Sequence, residues 1–264
     1  MSENTEQLKV TREDLIGRIV LNQPEKNNAI SLAMWQGLAT TIDEFQSDPK
    51  VRIIIVEGAG TRAFSAGADI SQFEKNRASR EAIEIYNRAV ATAQGKLRGI
   101  TKPTIAKIRG YCLGGGLGVA LCCDLRLTSE DGKFGIPAAK LGLGYGIDSL
   151  KPLVTLIGPS RAQEILFTAK RFDAAQALAM GLVNQCVASD QLDTLVQDYA
   201  ETIAGNAPLT VSAVKQIVAE SLKDDSQCDR DLCQQLVDTC YASQDYKEGR
   251  QAFMQKRKAN FRGL

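Results

Sequence analysis

Two glycine-bearing segments each follow an apolar run that reads as a strand: Phe64-Ser65-Ala66-Gly67-Ala68-Asp69-Ile70 and Gly110-Tyr111-Cys112-Leu113-Gly114-Gly115-Gly116. Ligand sites of α/β sheets lie at such strand ends. The second segment runs directly into the apolar stretch Leu117–Cys123, so its free N–H groups are expected at a helix N-terminus, where negative charge is stabilised. Glycine lets backbone approach a ligand closely, and fixed N–H donors suit an oxyanion hole in which charge develops on a carbonyl oxygen. Nucleotide phosphate is the rival ligand. Against it, the chain has no GxxxxGK[ST], and Gly114 opens GGGLG rather than GxGxxG, with no acidic partner about 20 residues on. A triple glycine alone fits a tight turn or close helix packing equally well.

The sequence contains no histidine, which removes the Ser-His and Cys-His triads and the commonest zinc ligand together. No metal is expected. Seven cysteines, an odd set without a CxxC pair and mostly within apolar runs, read as buried thiols of a reducing compartment. Thirty-two basic residues against 31 acidic ones leave a net charge of +1, so no global field recruits nucleic acid or an anionic membrane. Within residues 79–98, Arg80, Arg88, Lys96 and Arg98 share a helix with Glu81 and Glu84, the pattern of a solvated face rather than an RNA-binding one. The first ten residues have no apolar core for a signal peptide, and no uninterrupted 18-residue apolar stretch occurs, so a cytoplasmic, membrane-free protein is expected.

The elements that must carry these loops follow an α/β pattern. Residues 18–21, 53–56 and 104–108 are β-branched runs read as strands. Between the first two, Leu32, Trp35, Leu38, Ile42 and Phe45 recur at helical spacing behind Ser31, a candidate N-cap. A second helix is expected over 79–98. From about Ser149 the chain turns mainly helical, with segments near 160–169, 173–180, 189–205, 209–223 and 229–257 and an extended piece at 183–187. Asp173 and Gly181 read as the N-cap and C′ glycine of one short helix.

Four ordered motifs carry a family resemblance. The two glycine segments, Phe167-Thr168-Ala169 with Ala177-Leu178-Ala179-Met180-Gly181-Leu182-Val183-Asn184, and the tail Glu248-Gly249-Arg250-Gln251-Ala252-Phe253-Met254-Gln255-Lys256-Arg257-Lys258 resemble the enoyl-CoA hydratase/isomerase, or crotonase, superfamily. The resemblance implies an α/β fold in which a spiral of ββα turns, residues 1–200, is followed by a helical trimerisation region, 201–264. It implies an acyl-CoA substrate, no cofactor beyond the coenzyme A of that substrate, and a homotrimer or homohexamer. The family's oxyanion donors fall on the backbone N–H groups of Ala68 and Gly115. Lys26, Asn27 and Ala29 lie in a stretch similar to the one that wraps the adenine. Ala66, Asp69 and Ile70 accompany them from the first glycine segment, and Phe253 and Lys256 match coenzyme contacts of the tail.

The chain departs from the family pattern at the acids. Hydratases of this family use two glutamates as base and acid around the attacking water. Those positions fall on Gly118 and Ala138, and a position often acidic in the isomerases falls near Gly146. A positioned proton-transfer group contributes a factor of about 10² to 10⁴, so losing both removes roughly 5–11 kcal/mol unless other groups replace them. Asp148 and Tyr145, in the loop matching the family's acyl pocket, are the candidates; Asp148 is also a candidate N-cap and Tyr145 a candidate pocket wall. Three functions follow: a hydratase-type lyase, a methylmalonyl-CoA decarboxylase-like enzyme that forms an enolate without a base, and a catalytically silent acyl-CoA binder.

Overall fold

The spiral starts from a hairpin and is built by parallel strands that cross between two sheets. The computed structural model describes residues 6–69 and 79–264. Among them, strands β1 (Leu8–Glu13), β2 (Ile16–Leu21), β3 (Ile53–Gly58), β4 (Ala63–Ser65), β5 (Thr104–Ile108), β6 (Tyr111–Leu113), β7 (Leu125–Ser129), β8 (Lys133–Gly135), β9 (Phe172–Asp173) and β10 (Gln185–Val187) form two sheets. One has the order β1-β2-β3-β5-β7-β10 and the other β4-β6-β8-β9. Each odd step gives the pattern away: β3 then β4, β5 then β6, β7 then β8 place one strand in each sheet before the chain moves on.

Burial explains the sequence of β3. Its residues alternate between two faces: Ile54 and Val56 join the larger core, with Trp35, Leu38 and Leu117, while Ile53 and Ile55 join a second core with Leu192, Val196, Ala200 and Ala204. A parallel sheet covered on both faces reads as an unbroken apolar run, which is why β3 was the clearest strand.

The helices are α1 (Leu32–Ser47), α2 (Arg80–Gly99), α3 (Gly115–Cys122), α4 (Ile147–Thr168), α5 (Ala174–Ala179), α6 (Leu192–Gly205), α7 (Pro208–Ser221), α8 (Arg230–Ala242) and α9 (Gln244–Met254). Ser31 caps α1 by accepting from Met34 N at 3.2 Å. Asp173 forms a reciprocal capping box with Gln176, and Gly181 follows α5 at φ +77°.

Three expectations change. The single helix at 229–257 is two, because Ser243 adopts an extended conformation and its side chain caps α9 by accepting from Tyr246 N. The segment expected near 160–169 begins at Ile147 and kinks at Gly158, ahead of Pro159. Of the seven cysteines, only Cys112, Cys122 and Cys123 are buried; the other four are half-buried, and all are free thiols. Among the described residues, no helix is long and apolar enough to cross a membrane.

Candidate active site

The two glycine segments converge at the ends of neighbouring strands β4 and β6. Residues 27–30 lie alongside 66–69: Ala66 N donates to Asn27 O at 2.8 Å, Ile30 N to Gly67 O at 2.7 Å, and Asp69 N to Ile30 O at 3.1 Å. In this parallel bridge Ile30 bonds the residues on either side of Ala68, which turns the N–H of Ala68 itself away from Ile30. Gly67 supports the turn with φ +103°, a conformation that suits glycine.

The second segment delivers a helix N-terminus to the same place. Gly114 N donates to Gly135 O at 2.9 Å, and Gly114 is the N-cap of α3. Gly116 lets α3 press against β4, since a Cβ there would stand 2.6 Å from Ser65 Cβ. A Cβ on Gly115 would stand 3.6 Å from Ala68 N and 3.5 Å from the ring of Trp35, so Ala68 and Gly115 are direct neighbours. Among the described residues, neither Ala68 N nor Gly115 N donates to an acceptor, whereas Ala66, Gly67, Asp69, Gly114 and Gly118 all do. Two donors, one of them at the first position of a helix, therefore lie close together with no acceptor among the described residues.

The surrounding side chains are held from several elements. Trp35 donates its indole N–H to Tyr86 Oη at 3.2 Å, fixing α1 against α2. The Tyr145 hydroxyl lies 3.9 Å from where a Cβ on Gly114 would stand. Burial, with Tyr86 alongside, raises the Tyr145 phenol above its ordinary pKa, so it stays protonated. Asp148 is exposed at the second position of α4; its expected capping place is taken by Gly146, and its backbone carbonyl accepts from Arg98 Nη1 at 3.1 Å. Ala138 is buried in the turn Pro137–Leu141, and Gly118 lies one turn beyond Gly115 on α3.

Along the expected coenzyme stretch, Lys26 Nζ pairs with the buried Asp69 carboxylate at 2.9 Å, and Asn27 Oδ1 is buried without a hydrogen-bond partner among the described residues. Ile70 lies outside the described residues. Phe253 and Lys256 are exposed, and no hydrogen bond or ion pair among the described residues ties them to residues 26–29 or 66–69. Of the basic tail cluster, Arg257 is already engaged, 2.6 and 2.9 Å from Glu248. Gln94, on α2, is a residue that sequence reasoning passed over. Its signal was a carboxamide inside the buried stripe of Tyr86, Ala93 and Leu97.

A family model described as enoyl-CoA hydratase/isomerase matches residues 11–263. The chain belongs to this family. It is 32% identical over 256 residues to a crotonyl-CoA hydratase of Syntrophomonas wolfei, covering 97% of this chain and 98% of that one. It is also 32% identical to a short-chain-enoyl-CoA hydratase of Clostridium acetobutylicum, covering 94% of each. Among solved structures, an enoyl-CoA hydratase/carnithine racemase from Magnetospirillum magneticum is similar at 35% identity with a TM-score of 0.91, over 98% of this chain and 97% of that one. An enoyl-CoA hydratase from Bacillus anthracis is similar at 30% identity and the same TM-score of 0.91, over 98% of this chain and all of that one. The chain is thus an enzyme of the hydratase/isomerase family with its α/β fold, as the motifs implied.

Proposed function

We propose that this enzyme binds an acyl-CoA thioester and stabilises its enolate with the N–H groups of Ala68 and Gly115. The observation that carries the reading is their closeness: two neighbouring backbone donors, neither with an acceptor among the described residues. Such fixed donors stabilise charge developing on a carbonyl oxygen without reorganising, and removal of one costs about 10² to 10³ in rate. Coenzyme A would run past Lys26, Asn27 and Ala29 and past Ala66 and Asp69, with Phe253 and Lys256 of the tail meeting its adenosine end; this part rests on the family resemblance.

A hydratase-type lyase reaction is the family's ordinary chemistry, as the names of the two relatives indicate. With Gly118 and Ala138 in place of the acids, water addition has to recruit another group, and Asp148 is the nearest carboxylate in sequence to the pocket loop. Loss of carbon dioxide from an α-carboxyacyl thioester, one of the malonyl type, is the second reading. There the C–C bond to the carboxylate breaks, its electron pair forms the enolate, and solvent returns a proton. The protonated Tyr145 hydroxyl beside Gly114 favours this second reading, because it offers a donor near the donor pair.

Gly115→Pro tests the shared step. Gly115 is the first residue of α3, a position where proline is tolerated and its missing N–H is not needed by the helix. With circular dichroism and melting unchanged, the bound thioester carbonyl stretch should move back toward its solution frequency and turnover fall by about 10² to 10³. An unshifted carbonyl in the native enzyme would remove the oxyanion hole.

A further inference from the structure

The wall of the site holds a polar group that neither the family resemblance nor the reaction above uses. Gln94 is only 6% exposed. Its carboxamide makes no hydrogen bond to any described residue, and it is not among the polar atoms sealed from open space. A carboxamide that is nearly buried, unpartnered among the described residues and still open to the space beside it is placed to bind what enters that space.

Its position says where that partner sits. A Cβ added to Gly118 would stand 2.7 Å from Gln94 Nε2, so the carboxamide fills the space that any side chain at 118 would enter. Gly118 is three residues beyond Gly115 on α3, hence on the same helix face and displaced by about 4.5 Å along the axis. A thioester oxygen held at Gly115 and Ala68 therefore leaves the third carbon of the acyl chain, and what is attached to it, within reach of Gln94. The group is neutral, so it moves no proton; it can donate through Nε2 and accept through Oε1.

Resting on the acyl-CoA reading above, we propose that Gln94 is a specificity-determining residue that donates a hydrogen bond to an oxygen on the third acyl carbon, selecting α-carboxyacyl and β-oxoacyl thioesters over purely hydrocarbon ones. A site with a buried donor rejects a ligand that leaves the donor unpaired far more strongly than an apolar pocket rejects an added oxygen. The pocket is thereby biased toward oxygen-bearing chains.

Calorimetric titration of malonyl-CoA, acetoacetyl-CoA and butyryl-CoA into native enzyme and Gln94→Met decides it. The variant should weaken malonyl-CoA and acetoacetyl-CoA at least tenfold and butyryl-CoA less than twofold. Gly118→Ala provides the same test with Gln94 intact, because the new methyl displaces only the flexible end of the carboxamide; the same selective loss is expected. Equal losses for all three ligands, or none in both variants, would overturn the assignment while leaving acyl-CoA binding intact. Failure of the native enzyme to bind any of the three would overturn the acyl-CoA reading itself, and this assignment with it.

Discussion

Tyr145 and Asp148 entered as equal candidates, and the structure separates them by environment. Tyr145 is half-buried, its hydroxyl near Gly114 and its pKa raised by burial and by Tyr86, whereas Asp148 is exposed on the first turn of α4. If the phenol orients a leaving carboxylate, Tyr145→Phe should cut turnover by roughly a hundredfold and Asp148→Asn by less than tenfold, read as kcat/KM with product identified by mass. The sign of the pH effect follows from the raised pKa: the protonated phenol is favoured in the folded enzyme, so its contribution is complete below the ordinary phenol pKa near 10 and is lost only as pH rises through the higher folded value. Activity that depends on Tyr145 should therefore hold to beyond pH 10 for as long as the fold survives. The reverse ranking of the two variants would favour water addition through Asp148. Sequence reading puts Tyr145 and Asp148 in one loop, whereas α4 begins at Ile147 and takes Asp148 into its first turn. Their difference was not legible in the sequence, because Tyr145 packs against a core assembled largely from residues far earlier in the chain.

At the scale of elements, the site depends on where α3 is held. This helix is eight residues long, too short to be stable alone, and its far end is fixed by Arg126 of β7. The buried guanidinium donates to Cys123 O at 2.6 Å, Ala120 O at 3.4 Å, Leu182 O at 2.9 Å and Asp124 O at 3.2 Å. A cation here satisfies the last carbonyls of the helix and complements its dipole. Arg126→Met keeps the volume and removes every donor, so unfolding in urea should show a loss of at least about 3 kcal/mol. A loss under about 1 kcal/mol would mean that the carbonyls find other partners. The same residue explains what the sequence hid. A buried arginine in Leu125–Ser129 breaks the apolar run by which β7 could have been recognised, and β4, β6 and β8, three residues each, are too short to show a period. Ser31, Asp173 and β3 were legible because each acts on its immediate neighbours. The meeting of Ala68 with Gly115 joins residues 47 positions apart, and the parallel pairing of β4 with β6 brings their segments together.

For the whole molecule, the question is what covers the helical third. Val214, Val218 and Leu222 recur every four residues along α7 and its C-cap and are 55%, 54% and 60% exposed. Residues at that spacing share one helix face, so they make an apolar stripe open to solvent. Phe253 and Met254, at the end of α9, are 83% and 82% exposed. These residues do not belong to a loose tail: Asp245 accepts from Arg262 N and Gly263 N at 2.7 and 2.8 Å, and Arg52 Nη2 donates to Phe261 O at 2.7 Å. A fixed helical surface with aligned apolar side chains is the kind that a symmetric partner buries. The family resemblance implies a trimer or hexamer, so light scattering at micromolar concentration should give about three or six times the 28.6 kDa chain mass. Val218→Glu places a charge in the middle of the stripe, where burial against a second apolar surface would cost several kcal/mol unless the charge were paired. On a free monomer the same change would be nearly silent, since Val218 touches water already. Dissociation of the variant with its far-ultraviolet dichroism intact is the expected result. A native enzyme of single-chain mass, or a variant whose mass does not change, would mean that this face of α7 is not where subunits meet.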